Sequence, residues 1–192
     1  MTAFDEHYWQ ERWHKGQTGW DIGGPAPAIL QHFRSLDDKA LSILIPGCGN
    51  AYEAKALWDM GFTRITVAEI VAAKAAELRE RFSDTGIRVL HEDFFRLEGQ
   101  YDIIVEHTFF CSLSPDLRPA YVQQAHRLLR ENGQLTGLLF NRTFEQPGPP
   151  FGGSPEEYTA LFTPVFRQVS LEPCNNSIPP RAGKELYMVL TR

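Results

Sequence analysis

Apolar runs of strand length alternate with helix-forming segments through the middle of the chain. Such an alternation is typical of a parallel sheet covered by helices on both faces and joined by right-handed crossovers. Strands are predicted at residues 41–45, 65–69, 87–91, 102–106 and 134–140, and helices at 51–60, 71–82 and 115–131.

The N-terminal end departs from this alternation. Residues 4–15 are predicted to form a short helix on which Trp9 and Trp13, four positions apart, share one face. A glycine-rich loop and a second helix at 25–35 follow, with Pro25 acceptable in the first turn. Aromatic residues at helical spacing are usually core residues, and the alternative is that the two indoles cover a ligand.

The last third of the chain also changes character. Residues 146–153 are too rich in proline and glycine for a regular element. A helix is expected next, with Ser154 as its cap and Pro155 in its first turn, and closing strands at 165–171 and 185–190. We expect one domain, residues 1–192, with an N-terminal lid and helix (1–36) and an α/β core (37–192).

The first predicted strand ends in a Gly47-Cys48-Gly49 turn, and the second ends in Glu69, 22 residues after Gly47. Glycines let the backbone turn sharply and approach a ligand closely, and an acid at this distance is placed to accept hydrogen bonds from ribose hydroxyls. A turn without any ligand is the alternative, and Glu69 makes it the weaker one.

The kind of ligand follows from a missing glycine. A dinucleotide fingerprint needs a third glycine, for close helix–strand packing around a pyrophosphate, and Tyr52 occupies that position. An NAD-dependent oxidoreductase is therefore disfavoured. A cofactor with a ribose but no phosphate fits better, which indicates S-adenosylmethionine (SAM).

Ligands in such sheets lie beyond the carboxyl ends of the strands. The third strand is followed by Asp93 and Phe94, for which two interpretations are open. Asp93 bonds the amine of an adenine on which Phe94 packs, or Asp93 caps a short helix and Phe94 is core.

Composition narrows the function classes. The chain has 192 residues, 43% of them hydrophobic, and a formal net charge of −5. No basic cluster suggests nucleic acid, no apolar run is long enough for a membrane span, and no signal-peptide pattern is present. Three widely spaced cysteines and six histidines show no metal-ligand spacing. We expect a cytoplasmic monomer that binds no metal.

Several short motifs occur in order over nearly the whole chain: Trp9-x3-Trp13, Thr18-Gly19-Trp20-Asp21, Ile45-Pro46-Gly47-Cys48-Gly49-Asn50, Glu92-Asp93-Phe94-Phe95, Phe109-Phe110-Cys111, Arg118-Pro119-Ala120, Pro147-Gly148-Pro149-Pro150 and Ile178-Pro179-Pro180-Arg181-x-Gly183-Lys184. In these motifs the chain resembles the thiopurine S-methyltransferase family, most closely the plant and microbial branch that methylates small thiols and halides.

The resemblance implies a class I SAM-dependent methyltransferase fold (Rossmann-like), with a seven-stranded, mostly parallel sheet, one antiparallel strand and an N-terminal helical lid. It implies cofactor-binding roles for three tryptophans over the cofactor, the glycine turn beneath it, an acid on the ribose, an acid–phenylalanine pair at the adenine and a histidine: Trp9, Trp13, Trp20, Gly47, Gly49, Glu69, Asp93, Phe94 and His107.

The chain departs from the family pattern at three strand ends. Glu69 replaces an aspartate, Glu106-His107 replaces the commoner Asp-Tyr, and Phe140-Asn141 replaces Phe-Pro. His107 is predicted to contact the cofactor, and a role as base for the substrate is the alternative. The predicted substrate pocket comprises Phe109, Phe110, Arg118, Asn141 and Arg181. Cys48 and Cys111 are interpreted as apolar fillers.

These inferences converge on a SAM-dependent methyltransferase that acts on a small soft nucleophile: a thiol or hydrosulfide, with halide also open. A thiol is partly ionised at neutral pH and needs no strong base, whereas an alcohol does. The alternatives are S-methylation of a thiopurine-like heterocycle and a non-catalytic SAM-binding module.

Overall fold

The computed structural model describes residues 4–192 and contains a seven-stranded sheet of order β3-β2-β1-β4-β5-β7-β6. Strands β1 to β5 run parallel, while β7 lies between β5 and β6 and is antiparallel to both. The α/β fold class is confirmed. The strands are β1 (Ser42–Pro46), β2 (Arg64–Glu69), β3 (Arg88–His91), β4 (Tyr101–His107), β5 (Leu129–Phe140), β6 (Gln168–Pro173) and β7 (Glu185–Thr191).

Within the described residues, six α-helices accompany the sheet. Helix α6 begins with a capping box, in which Ser154 and Glu157 each accept from the other's backbone N–H, so the expected serine cap is confirmed. The helices are α1 (Glu6–His14), α2 (Pro27–Arg34), α3 (Tyr52–Asp59), α4 (Ala72–Arg81), α5 (Arg118–Leu128) and α6 (Pro155–Phe162).

Two hydrophobic cores lie on opposite faces of the sheet. Along β1, Leu44 packs into the core that contains α5 and α6, while Ile43 and Ile45 pack into the core that contains α2 and α3. All five residues of β1 are buried. This is the signature of a central strand covered on both faces, because successive side chains point to opposite sides.

The predicted boundaries were wrong at the α5–β5 junction. The helix predicted at 115–131 consists of a 3₁₀ turn, Pro115–Leu117, followed by α5, which ends at Leu128. Strand β5 then begins at once with Leu129, five residues before its predicted start. The early residues of β5 include Asn132, whose φ is +62°. The sequence pattern missed the first residues of β5, because left-handed backbone is typical of turns and not of strands.

Among residues 4–192, none of the helices has both the length and the apolar character that crossing a membrane requires.

Candidate active site

Two adjoining cavities lie at the carboxyl ends of the parallel strands, beneath α1. The first has a volume of about 330 Å³ and the second about 360 Å³. The predicted site residues that line the first are Trp9, Trp13, Trp20, Gly47, Gly49, Glu69, Phe109 and Arg181. Those that line the second are Trp9, Gly47, Asp93, Phe94 and Phe109.

The glycine turn after β1 brings backbone and side chains into close contact. Gly47 has a φ of +55°, and a Cβ atom there would lie 2.3 Å from Cδ2 of Phe109. Any side chain at position 47 would therefore displace this ring, which packs over the turn. Gly49 has a φ of +51° and lies beneath the indoles of Trp13 and Trp20. The turn thus forms a floor shared by both cavities.

Glu69 closes the turn from the end of β2. Its carboxylate accepts the backbone N–H of Gly49 (3.1 Å) and of Val71 (2.9 Å), and the residue is 5% exposed. Burial raises the pKa of Glu69, although these backbone hydrogen bonds act in the opposite direction. Each carboxylate oxygen has capacity for a further donor, so Glu69 can accept hydrogen bonds from a ligand in the first cavity.

Three tryptophans cover the first cavity. Trp20 packs edge-to-face against both Trp9 and Trp13, with ring centroids 5.4 Å apart in each pair. None of the residues of α1 is buried, so Trp9 and Trp13 are half-exposed roof residues and not core residues.

Contacts from α4 hold α1 in place. The ammonium of Lys74 lies 4.5 Å from the ring centroid of Trp13. Glu6 accepts the backbone N–H of Ala72, the first residue of α4, at 3.0 Å. The roof therefore depends on a few contacts at the rim of the sheet.

The loop that carries Trp20 is anchored by Asp21. Its carboxylate accepts the side-chain amide of Asn50 (2.6 Å) and the hydroxyl of Tyr52 (3.3 Å). Tyr52, at the position of the missing third glycine, thus ties the loop to the start of α3. This contact was not predicted, since nothing in the local sequence relates Asp21 to Tyr52.

His107 uses both ring nitrogens within the protein. Nδ1 lies 2.8 Å from Oε1 of Glu53, and Nε2 lies 3.3 Å from Nη1 of Arg181. A guanidinium can only donate, so Nε2 is the acceptor and Nδ1 carries the proton, a tautomer assigned from these partners. Burial raises the pKa of Glu53, but its interaction with His107 and the hydrogen bond from the backbone N–H of Ala26 outweigh this effect, and the pKa is lowered.

Arg181 connects this buried pair to the roof. Its Nη2 donates to the backbone carbonyl of Trp20 (3.0 Å), and its Nη1 lies 3.4 Å from Oε1 of Glu185. The guanidinium also lies over the ring of Phe140. Because Arg181 itself lines the first cavity, His107 affects the site through Arg181, and His107 lines neither cavity.

Glu106 organises the turn after β4. One oxygen accepts the backbone N–H groups of Phe109 and Phe110, and the other accepts the hydroxyl of Tyr121, all at 2.8 Å. Glu106 is fully buried, and this burial raises its pKa to about 7. Its hydrogen bonds set the position of Phe109 over Gly47. The sequence offered no signal for this role.

Three predicted pocket residues lie elsewhere. Phe110 is 1% exposed and belongs to a hydrophobic core. Arg118 stacks on Phe110 and donates to the carbonyl of Gly152 (2.7 Å). Neither Arg118 nor Asn141 lines either cavity; the backbone N–H of Asn141 donates to the carbonyl of Lys184.

The two interpretations of Asp93 and Phe94 are compatible. Asp93 accepts the backbone N–H of Phe95 (3.0 Å) as the cap of a 3₁₀ turn, and Phe94 is buried in the core. Both residues also line the second cavity, so contact with an adenine stays a prediction.

Some residues of the first cavity were not predicted: Arg12, Gln17, Ile70, Phe140, Pro149 and Pro150. Arg12 had a usable signal, because it lies three positions after Trp9 and so on a neighbouring part of the same helix face.

Burial raises the pKa of the Cys48 and Cys111 thiols, as expected of unreactive fillers. Within the described chain, no group of three His, Cys, Asp or Glu side chains is placed to ligate a metal.

Known proteins are similar to this chain in sequence and in fold. The family model described as thiopurine S-methyltransferase matches residues 4–189. Thiocyanate methyltransferase 1 of Brassica oleracea is 30% identical over 187 residues, which cover 94% of this chain and 83% of that protein. A probable thiol methyltransferase 2 of Arabidopsis thaliana is 29% identical over 92% of this chain and 81% of that protein.

A bacterial relative and a solved structure extend the comparison. Thiopurine S-methyltransferase of Pseudomonas fluorescens is 28% identical over 81% of this chain and 80% of its own length. The structure of 1,6-didemethyltoxoflavin-N1-methyltransferase from Burkholderia thailandensis, with its substrate and S-adenosylhomocysteine (SAH) bound, superposes with a TM-score of 0.72. That similarity covers 97% of this chain and 85% of the other at 20% identity, and it shows the shared fold.

Proposed function

This chain belongs to the thiopurine S-methyltransferase family and is a SAM-dependent methyltransferase, and from this premise we propose that its methyl acceptor is the sulfur of a small thiol or of hydrosulfide. The relatives named thiol and thiocyanate methyltransferases act, by their names, on a thiol and on thiocyanate. This supports a small sulfur acceptor over a larger heterocycle.

The residues of the two cavities fit SAM. Glu69 is a buried carboxylate with spare acceptor capacity at the edge of the first cavity, which suits ribose hydroxyls. Asp93 and Phe94, in the second cavity, suit the amine and the face of an adenine. Trp9, Trp13 and Trp20 offer aromatic surface to a sulfonium, whose positive charge is attracted to such faces by about 0.5–2 kcal/mol.

The remaining site residues shape the cavity and exclude water. Gly47 and Gly49 keep its floor low, and Phe109 forms an apolar wall. His107 is a positioning residue in this proposal: it holds Arg181, which in turn holds the loop of Trp20. Contact between His107 and the cofactor stays a prediction, and the bonding of both ring nitrogens within the protein supports the indirect role.

Held by these residues, SAM would supply an electrophilic methyl group to the acceptor sulfur. The bond between the methyl carbon and the sulfonium would break with its electron pair on the leaving sulfur, and the thiol proton would go to water. The protein holds the acceptor in line, and ideal orientation is worth up to about 7–11 kcal/mol. An aromatic pocket that excludes water favours a step in which the opposite charges of thiolate and sulfonium cancel, because water stabilises the separated charges more than the transition state.

The chemistry of the first cavity carries the sulfur assignment. No histidine lines it within the described chain, and its carboxylate, Glu69, is bonded to two backbone N–H groups. An alcohol acceptor would need a base to remove its proton. A thiol with a pKa of about 8.5 supplies a few per cent of anion unaided at neutral pH.

The test is a panel of acceptors assayed with methyl-labelled SAM: a small thiol, hydrosulfide, iodide, a thiopurine, an alcohol and an amine. We expect transfer to the thiol and hydrosulfide, at a rate that rises with pH toward the pKa of the acceptor. Robust transfer to oxygen or nitrogen with none to sulfur would contradict the proposal. Tight binding of SAH without transfer to any acceptor would indicate a non-catalytic SAM-binding protein.

A further inference from the structure

Arg12 presents a positive charge that no carboxylate in the described part of the chain balances. Its Nε and Nη2 donate to the hydroxyl of Tyr8 (3.1 and 2.8 Å), and its Nη1 donates to Oε1 of Gln17 (3.3 Å). Both partners are uncharged. Among residues 4–192, no Asp or Glu oxygen lies within 4.0 Å of the Arg12 guanidinium. Three of its five N–H groups are used, so two remain for another acceptor.

Arg12 lies at the rim of the first cavity. The side chain is half-buried on α1 and lines the cavity, together with the exposed Gln17. Its guanidinium lies over the ring of Tyr8, at 5.2 Å from the centroid, which holds it in place. These contacts hold the charge of Arg12 at the rim of the cavity.

Arg181, the other guanidinium of this cavity, already has bonding partners within the protein. It faces the carboxylate of Glu185 and donates to the carbonyl of Trp20 and to His107. Glu69, the cavity's carboxylate, is bonded to the glycine turn. The cavity thus has one guanidinium with a balanced charge and one without.

We infer that Arg12 binds an anionic group of the acceptor, so that the substrate is a small thiol carrying a carboxylate. This rests on the proposed function. A guanidinium recognises a carboxylate through paired N–H donors, and the apolar lining from Phe109, Phe140 and Pro149 suits the short carbon chain between acid and sulfur. The methionine carboxylate of SAM has the same chemistry, so the experiment distinguishes the two.

The test compares 3-mercaptopropionate with 3-mercaptopropionamide, which has the same length but no charge. The wild-type protein should show a KM about tenfold to 100-fold lower for the acid, the range expected for a charge-assisted hydrogen bond. Arg12→Gln should bring the ratio of the two KM values close to one. Arg34→Gln, an equal charge change at an exposed position of α2, should keep the wild-type ratio.

The second measurement is the affinity for SAH, determined by calorimetry. We expect Arg12→Gln to bind SAH with an affinity close to that of the wild type. A comparable loss of SAH affinity would assign Arg12 to the cofactor carboxylate and overturn the inference. Wild-type transfer to both thiols with equal KM values would also overturn it, while leaving the proposed function intact. No wild-type transfer to either thiol would overturn the inference, and the proposed function would fall with it only if hydrosulfide also failed to accept the methyl group.

Discussion

Three buried acidic residues, at the ends of β2 and β4 and in α3, differ in what their carboxylates can still bond. Glu69 has two backbone donors and faces a cavity, whereas Glu106 has three donors and is enclosed. Glu53 is occupied by His107 and by the backbone N–H of Ala26. Of these three, Glu69 is therefore the acid available to a ligand, and Glu106 and Glu53 are structural.

Glu69→Gln should weaken SAH binding about tenfold to 100-fold, because charge-assisted hydrogen bonds contribute about 1.5–3 kcal/mol. Burial raises the pKa of Glu69, and hydroxyl donors favour its ionised form. Wild-type affinity should therefore be full above that raised pKa and decline as the pH falls through it, whereas the variant should lack this decline. Calorimetry from pH 5 to about pH 8 measures both. Glu80→Gln, exposed on α4, is the control; an unchanged affinity for Glu69→Gln would exclude the ribose role.

Glu106→Gln should change how stability depends on pH. Burial raises the pKa of Glu106 from 4.5 to about 7, so the folded protein retains a proton that the unfolded chain releases. The contribution of this retained proton to the free energy of unfolding is full below pH 4.5 and is lost as the pH rises to about 7. The loss amounts to about 3 kcal/mol. Urea unfolding should show this loss in the wild type. It should also show it in the control variant Glu98→Gln, which changes an exposed glutamate. An identical slope in Glu106→Gln would show that Glu106 is not its source.

At the scale of elements, α1 and the following loop form a roof with few anchors. No residue of α1 is buried, and the helix is attached through Glu6, Trp13 and the loop residue Asp21. Elements with few buried contacts open at a small free-energy cost. The roof is therefore suited to admit ligands and close over them.

Hydrogen exchange of the α1 amides should slow at least about tenfold when SAH is added, because a ligand beneath the indoles favours the closed arrangement. The amides of α5, which has five buried residues and packs in a core, should change little. Asp21→Ala should accelerate exchange in the loop without ligand. Equal protection of α1 with and without SAH would mean that the roof is rigid.

At the scale of the whole molecule, a ligand that joins roof and sheet should stabilise the fold. SAH at 100 times its Kd should add about 2.7 kcal/mol and raise Tm by roughly 5–10 °C. NAD should leave Tm unchanged, since Tyr52 takes the place of the third glycine and bonds Asp21. Scanning fluorimetry with both ligands provides the measurement. A rise with NAD and none with SAH would contradict the cofactor assignment.

The sequence by itself determined the architecture and the position of the site. Strand and helix periodicities are properties of neighbours along the chain, so the strands and α-helices of residues 4–192 were located, with errors mainly where α5 passes directly into β5. Parallel strands share one carboxyl edge, and this placed the glycine turn and Glu69 together. The aromatic roof followed from the family resemblance.

Only the tertiary structure decided which polar side chains pair. Arg181 meets Trp20 across 161 positions and His107 across 74, and Tyr52 meets Asp21 across 31. Such pairs depend on crossovers and rotamers that no local pattern encodes. For the same reason His107 proved to be fully bonded, and Arg118 lies outside the cavities. Arg12, next to the predicted Trp13, was brought to the rim of the first cavity by the docking of α1.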